Sequence, residues 1–147
     1  MKLGTVYMMV ILLVGSIYDW KYFGLPVWLL LAGAVGGISG AVYSLFWEKS
    51  SVINVIMAFL PGTIALMLSY ITKEQIGYGD GLILISMGGC MGIEQILVVV
   101  GIALGASFVV SVALVILRRV ERTQKLPFVP FLFAGWIMAW GGRVLLG

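Results

Sequence analysis

One glycine-rich hexapeptide, Ile76-Gly77-Tyr78-Gly79-Asp80-Gly81, carries one of the few carboxylates of this chain and lies between two long apolar runs. Glycine costs roughly 1 kcal/mol relative to alanine inside a helix, but it allows unusual backbone angles and close approach of another chain. An acid beside such a backbone, at the edge of a membrane span, indicates a functional site. Asp80 is therefore the first candidate residue, and the rest of the chain is searched for its partner.

Asp19 is the candidate partner, because it follows the first apolar segment, Leu3 to Tyr18. This segment is shorter than the roughly 20 residues that cross a bilayer, so we expect its helix to continue through Asp19 and Trp20. Asp19 would then lie at or just inside the membrane boundary. The alternative is a cleavable signal peptide, for which Gly15-Ser16 makes a poor cleavage site.

The composition is that of an integral membrane protein. Of 147 residues, 62% are hydrophobic and 10% are charged, against about 25% charged in soluble domains. The chain has no histidine and one cysteine, Cys90, which excludes Ser-His hydrolases and His-ligated haem or copper. We expect no metal and no cofactor. We also expect no nucleic-acid partner, because the sequence has no basic patch with interleaved aromatic residues. Unaided chemistry would have to use Asp, Glu, Lys, Ser or Tyr.

The apolar runs predict an all-α integral membrane protein with about six transmembrane helices, in a single domain over residues 1–147. The predicted spans are residues 3–20, 25–47, 52–71, 77–93, 96–117 and 127–140. The fourth run, Leu82 to Ile93, is short, so its helix must borrow residues from the glycine stretch, and Asp80 would lie about a turn below the interface. We expect Pro61-Gly62 to kink the third helix and Glu94-Gln95 to separate the fourth from the fifth.

Small residues in the second and fourth spans predict close helix packing. The pairs, each spaced by four residues, are Gly33/Gly37, Gly36/Gly40 and Gly88/Gly92. Small residues at this spacing let the backbones of neighbouring membrane helices approach closely. We assign these glycines to packing alone.

The basic residues predict the orientation in the membrane. Six of the nine Lys and Arg residues lie in the connectors after spans one, three and five: Lys21, Lys73, Arg118, Arg119, Arg122 and Lys125. Lys2, Lys49 and Arg143 lie on the other side. An excess of basic residues marks the cytoplasmic side, so both termini are expected on the non-cytoplasmic side. Asp19 and Asp80 would then both lie at cytoplasmic helix ends.

Each aspartate has a simple structural explanation when considered alone. Asp80 could cap a helix, and Asp19 could anchor its helix at the interface beside Trp20 and Lys21. Two acids at similar depth on one side are, however, costly to keep, and the nearest rival, Glu74, lies in a polar turn. Two carboxyl groups in a site of low dielectric hold one proton between them, which is what an aspartyl protease requires.

In that chemistry the ionised aspartate takes a proton from water, and the protonated one polarises the scissile carbonyl and later protonates the leaving amine. Which residue carries the proton is a property of the pair. A peptide must be extended to be cut, and Gly77 and Gly79 would let its backbone lie close to Asp80.

These motifs resemble those of the type IV prepilin peptidases. Gly77-Tyr78-Gly79-Asp80 resembles the GxGD motif of intramembrane aspartyl proteases, and Asp19 with Leu25-Pro26 resembles the first-aspartate motif of the prepilin peptidases. Lys73 and the segment Lys125-Leu126-Pro127-Phe128-Val129-Pro130-Phe131 are also similar to that family. The resemblance covers nearly the whole chain in order, and it implies that Asp19 and Asp80 are the catalytic pair.

The resemblance implies cleavage of prepilin-like precursors, which carry a hydrophobic N-terminal helix, at the cytoplasmic face of the cell membrane. Larger members have an additional N-terminal region with cysteines that is associated with N-methylation, so here we expect peptidase activity only. Many members carry Asn after the proline and Lys soon after the second aspartate, where this chain has Val27 and Leu82, and this affects the expected substrate preference.

Two alternatives remain open. Tyr18-Asp19 with the GxGD motif is also similar to presenilin-like proteases, but that family has more spans and a downstream Pro-Ala-Leu motif. A non-catalytic transporter or assembly subunit could use the same aspartates to bind protons or ions. The substrate (pilin, pseudopilin or archaellin-like), the oligomeric state and the role of the Arg118–Lys125 loop are left open by the sequence.

Overall fold

The structure, a computed structural model, describes residues 3–73, 77–117 and 126–147. Within these ranges it consists of helices and short connectors, the helices being α1 Leu3–Tyr22, α2 Val27–Phe46, α3 Val52–Ile71, α4 Tyr78–Met91, α5 Ile93–Ile116 and α6 Val129–Leu146. Glu74, Ile76 and the Arg118–Lys125 cluster lie outside the described residues, so the expectations for them are not addressed by the structure. The predicted all-α architecture is confirmed.

Five of these helices, all except α4, are long and apolar enough to cross a membrane. This finding supports the predicted multi-pass membrane protein. The exception, α4, has 14 residues and rises only about 21 Å, less than the roughly 30 Å hydrocarbon core of a bilayer. The sixth expected span is thus a short helix, although it takes residues from the glycine stretch as predicted.

The short helix α4 is the most enclosed part of the bundle, and it packs chiefly against α2 and α3. Nine of its residues are buried, including Ile83, Leu84 and Met87. Helix α1 contacts α6, α2 and α4, while α5 packs along α6. The neighbouring helices therefore surround this short helix and hold its ends in place.

Glycines allow α4 to approach α2 closely, as the four-residue spacing predicts. A Cβ atom at Gly37 would lie 2.7 Å from Cα of Ser86, and one at Gly40 would lie 2.8 Å from Cα of Cys90. Gly33 faces the Ser86 side chain in the same seam. The packing role predicted for these glycines is confirmed.

We predict that Gly88→Ala destabilises the protein by about 1–3 kcal/mol, the usual cost of overpacking a core. A Cβ at Gly88 would overlap the carbonyl oxygen of Ala58 in α3, which cannot move without shifting the helix. The matched control is Gly105→Ala in α5, where a Cβ would meet no atom within 4 Å. Thermal unfolding in detergent micelles should show a lower midpoint for Gly88→Ala alone. Equal midpoints would show that the contact between α3 and α4 is looser than described.

The structure corrects the predicted boundary between the fourth and fifth helices. Glu94 and Gln95 do not separate them, because both lie in the first turn of α5. The break is Gly92, whose φ of 81° is in the left-handed region that favours glycine. A Cβ added at Gly92 would meet no atom within 4 Å, so this residue does not share the packing role predicted for the pair it forms with Gly88.

Two other boundaries differ from the prediction. Helix α1 continues through Asp19 and Trp20 as expected but also includes Tyr22, so the following connector is only residues 23–26. Helix α6 continues to Leu146 instead of ending near Trp140. Pro61 lies inside α3, which is continuous from Val52 to Ile71.

Candidate active site

Asp19 lies in the last turn of α1 and points into the protein. Its side chain is only 6% exposed, whereas the adjacent Trp20 is 71% exposed. The helix ends just beyond it, where Phe23 has a φ of 52° and donates its backbone N–H to the Asp19 carbonyl oxygen at 2.9 Å. An interfacial anchor would face outward like Trp20, so the simple structural explanation of Asp19 is wrong.

Asp80 lies in the first turn of α4 and is partly buried. The residue at the N-cap is Gly77, so the alternative explanation of Asp80 as the capping residue is also wrong. An acid in the first turn of a helix interacts favourably with the positive end of the helix dipole. This interaction holds a carboxyl group at the start of α4 without using its oxygens as a cap.

The two aspartates line one cavity of about 550 Å³. The cavity walls also include the 23–25 connector, Gly77, Gly79 and the segment 126–128. Asp19 reaches this cavity from the end of α1, and Asp80 reaches it from the start of α4. The structure thus brings together the two acids that the sequence singled out from different helices, 61 positions apart in the chain.

The start of α6 contacts Asp19 directly. The backbone N–H of Val129 donates to Oδ2 of Asp19 at 3.2 Å, and the Val129 side chain is fully buried. Val129 is the first residue of α6, so its N–H has no acceptor within its own helix. This contact ties one carboxylate oxygen of Asp19, at the end of α1, to the start of α6.

Sequence reasoning missed this contact. The segment from Lys125 to Phe131 resembles the prepilin peptidases, but the resemblance assigns no role to its residues. The signal that could have found the contact is Pro130, because proline is favoured in the first turn of a helix and so marks a helix start with free N–H groups.

The glycines of the site leave space for neighbouring side chains and do not adopt unusual backbone angles. Gly77 has φ −64° and ψ 133°, which any residue adopts, and a Cβ there would lie 3.4 Å from Oδ2 of Asp80. A Cβ at Gly79 would lie 2.9 Å from Cδ1 of Leu25, in the connector after α1. Gly77 therefore borders the Asp80 carboxyl group, and Gly79 makes room for Leu25.

The other candidate residues stand apart from the aspartates. Lys73 is exposed, has a φ of 50° and does not line the cavity. In the part of the chain that the structure describes, no cluster of three or more acids or cysteines could hold a metal ion. Among the described residues that line this cavity, the titratable side chains are the two carboxyl groups, which can give and take protons.

Comparison with known proteins gives a family match. The model of the type IV leader peptidase family matches residues 6–117, which include both aspartates and the glycine motif. No solved structure matches the chain significantly.

Among curated proteins, the chain is similar to the prepilin leader peptidase/N-methyltransferase of Aeromonas salmonicida (strain A449), with 31% identity over 74 residues. The same enzyme of Aeromonas hydrophila is also 31% identical over 74 residues. The aligned part is 49% of this chain and 25% of the first relative, 26% of the second. The chain thus matches about a quarter of the length of these relatives. On the strength of the family match over most of its length, the chain belongs to the type IV leader peptidase family.

Proposed function

We propose that this protein is a membrane-embedded aspartyl endopeptidase that removes the leader peptide of prepilin-like precursors. The observation that carries the proposal is the shared cavity, which is lined by a buried Asp19 held by the start of α6 and by Asp80 at the start of α4. Family membership supports a peptidase, and the names of the similar Aeromonas proteins support prepilin leaders as the substrate.

The proposed reaction is hydrolysis of one peptide bond by water. The pair of carboxyl groups shares one proton, so the ionised carboxylate takes a proton from water while the protonated carboxyl group polarises the carbonyl. The oxygen of water bonds to the carbonyl carbon, and the C–N bond breaks as the leaving nitrogen is protonated. Gly77 leaves the space beside Asp80 open, where an extended substrate backbone could lie.

The orientation is part of the proposal. The basic residues near the ends of α1 and α3, Lys21 and Lys73, lie at the same end of the bundle as the aspartates. We propose that the protein lies in the cytoplasmic membrane. The positive-inside rule then places this end of the bundle on the cytoplasmic side. The relatives' names state two activities, and we propose only the peptidase for this chain, since the two carboxyl groups provide proton transfer.

The second candidate is a transporter or assembly subunit in which the two aspartates bind protons or ions. It is favoured only by the carboxyl pair itself, which would serve either purpose. The two functions differ in one requirement, because a peptidase cuts without a gradient, whereas a transporter produces a flux.

The test is co-expression of the protein with a panel of prepilin-like precursors, followed by mass spectrometry of the product N-terminus. The proposal predicts a single cut that releases the leader, with a new amino terminus that carries no methyl group. An uncut panel, together with proton or ion flux in vesicles that contain the protein, would favour the transporter. A methylated product would contradict the restriction to peptidase activity.

We predict that Gly79→Ala lowers leader cleavage because the new methyl group displaces Leu25 and with it the connector that follows Asp19. A second change, Leu25→Ala, removes the displaced atoms, so the double variant should cleave faster than Gly79→Ala alone. Initial rates at several precursor concentrations measure this. If Leu25→Ala gives no recovery, the methyl group acts on the substrate backbone, and Gly79 has the substrate-approach role inferred from the sequence.

A further inference from the structure

The cavity that contains the aspartates continues as an apolar groove between α3 and α5. Helix α3 contributes Leu60, Ile64 and Leu68, which lie on one face at a spacing of four residues. Helix α5 contributes Leu97, Val100, Leu104 and Ser107. We call this set of seven residues, with Leu84 of α4 as its floor, the α3–α5 groove.

The direction of the groove follows from the helix connections. Helix α3 ends and α4 begins across a short connector, so Leu68 lies at the aspartate end and Leu60 lies farther away. Eight residues of helix rise about 12 Å, and the ten residues from Leu97 to Ser107 rise about 15 Å. The groove therefore extends well into the apolar part of the bundle from the two carboxyl groups.

The polarity of the groove matches one kind of ligand. Its walls are aliphatic except for Ser107, while its end holds two acids. Ile64 is 48% exposed and Leu104 is 55% exposed within this chain, so these side chains are free to cover a ligand. A ligand that fits both parts has a polar, cleavable backbone segment joined directly to an apolar segment.

We propose that the α3–α5 groove binds one face of the hydrophobic N-terminal helix of the precursor, entering laterally from the lipid, while the scissile bond lies at the aspartates. This inference rests on the proposed function. A volume of about 550 Å³ accommodates several side chains but not a whole helix, so the contact is made by one face. The contacting side chains of the precursor are then three or four residues apart, as in other complexes of a helix with a groove.

Val98 and Val100 of α5 form a matched pair for the test. They differ in depth by only about 3 Å along the same helix, but two residues of an α-helix turn through about 200°, so they lie on opposite faces. Val100 lines the groove, whereas Val98 does not line it and is 52% exposed. The same substitution at the two positions therefore separates filling of the groove from a general effect on α5.

Val100→Trp is expected to lower kcat/KM for a full-length precursor by roughly tenfold, mainly through KM. The larger side chain fills part of the groove and so displaces about one apolar side chain of the precursor. Val98→Trp should cleave at the wild-type rate. Leu104→Trp is the second groove variant, chosen because its exposed side chain can be enlarged without disturbing the core. Equal rates for Val98→Trp and both groove variants would overturn the inference, while cleavage by the wild type would leave the proposed function intact.

A binding measurement that needs no catalysis completes the test. In an Asp80→Asn background, Val100→Cys and Val98→Cys are each oxidised in membranes with a precursor that carries one cysteine moved stepwise along its hydrophobic helix. The inference predicts a disulfide with position 100, at precursor positions repeating every three to four residues, and a much lower yield at position 98. Equal yields at the two positions, or yields without the helical repeat, would overturn the inference. Failure of wild-type cleavage with a positive crosslink would contradict the proposed function alone.

Discussion

Asp19→Asn and Asp80→Asn are each expected to lower leader cleavage by roughly 10²- to 10⁴-fold, the range that general acid–base catalysis contributes. Asparagine keeps the shape of the side chain but cannot give or take the proton that the proposed pair would share. Both residues line the same cavity, so each loss should be nearly complete by itself. The double variant should be little worse than either single variant, because groups that act as a unit are not additive.

The control for these variants is Glu94→Gln, which removes a carboxyl group from the first turn of α5 at an exposed position outside the cavity. It should cleave like the wild type. Measured rates, corrected for the amount of each protein in the membrane, decide the matter. Cleavage by either aspartate variant at the rate of Glu94→Gln would rule out the pair as the catalytic unit.

The second large effect is expected from removing the N–H of Val129. Replacing this residue by its α-hydroxy acid turns the amide into an ester, which deletes the donor to Oδ2 of Asp19 without adding an atom. A hydrogen bond to a charged group contributes about 1.5–3 kcal/mol, so kcat should fall by about ten- to a hundredfold. KM should stay close to the wild-type value, because the contact orients Asp19 and does not touch the groove.

The matched control is the same amide-to-ester change at Val52, the first residue of α3. In both helices the carbonyl before the change accepts two backbone N–H groups: Phe131 and Leu132 bond to Phe128, and Asn54 and Val55 bond to Ser51. The Val52 N–H has no acceptor in the described part of the chain. The two esters thus weaken the start of their helices equally, and only the ester at Val129 also removes a hydrogen bond to Asp19. Equal kcat values would show that Val129 does not position Asp19.

The shared cavity of Asp19 and Asp80 could be anticipated because membrane topology restricts the positions of these residues. Helices that alternate in direction place the end of the first and the start of the fourth on one side, so an acid at each position must lie at a similar depth. The length of an apolar run also predicts that α1 continues through Asp19. Both inferences follow from bilayer thickness and helix rise, which do not depend on how the helices pack.

Packing determines the features that the sequence did not predict. The donor to Asp19 is the backbone N–H of Val129. Because nearly every residue type has a backbone N–H, the residue type does not reveal this donor. The α3–α5 groove is formed by aliphatic side chains that look like any lipid-facing residues. The end of α4 depends on Gly92, which has a left-handed backbone conformation. Its spacing from Gly88 is that of a packing glycine, so the sequence pattern did not reveal this conformation.

The enclosed position of α4 explains how a short helix can serve such a site. Glycines on α2 and α4 bring the two backbones into contact, and Gly88 does the same toward α3. The start of α4, which carries Asp80, is thereby fixed relative to the rest of the bundle. Two carboxyl groups must keep a defined separation to share a proton, and side chains on packed helices keep such geometry better than side chains on loops.

The most direct test of the central claim uses purified protein in vesicles without any ion or voltage gradient, with a purified prepilin as substrate. The claim predicts that the wild type releases the leader at a rate that does not change when ionophores are added, and that Asp19→Asn and Asp80→Asn, folded and inserted to the same extent, release it at least about a hundredfold more slowly. Cleavage by either variant at the wild-type rate, or cleavage that requires a gradient, would contradict the claim that the two aspartates of this cavity activate water for peptide hydrolysis.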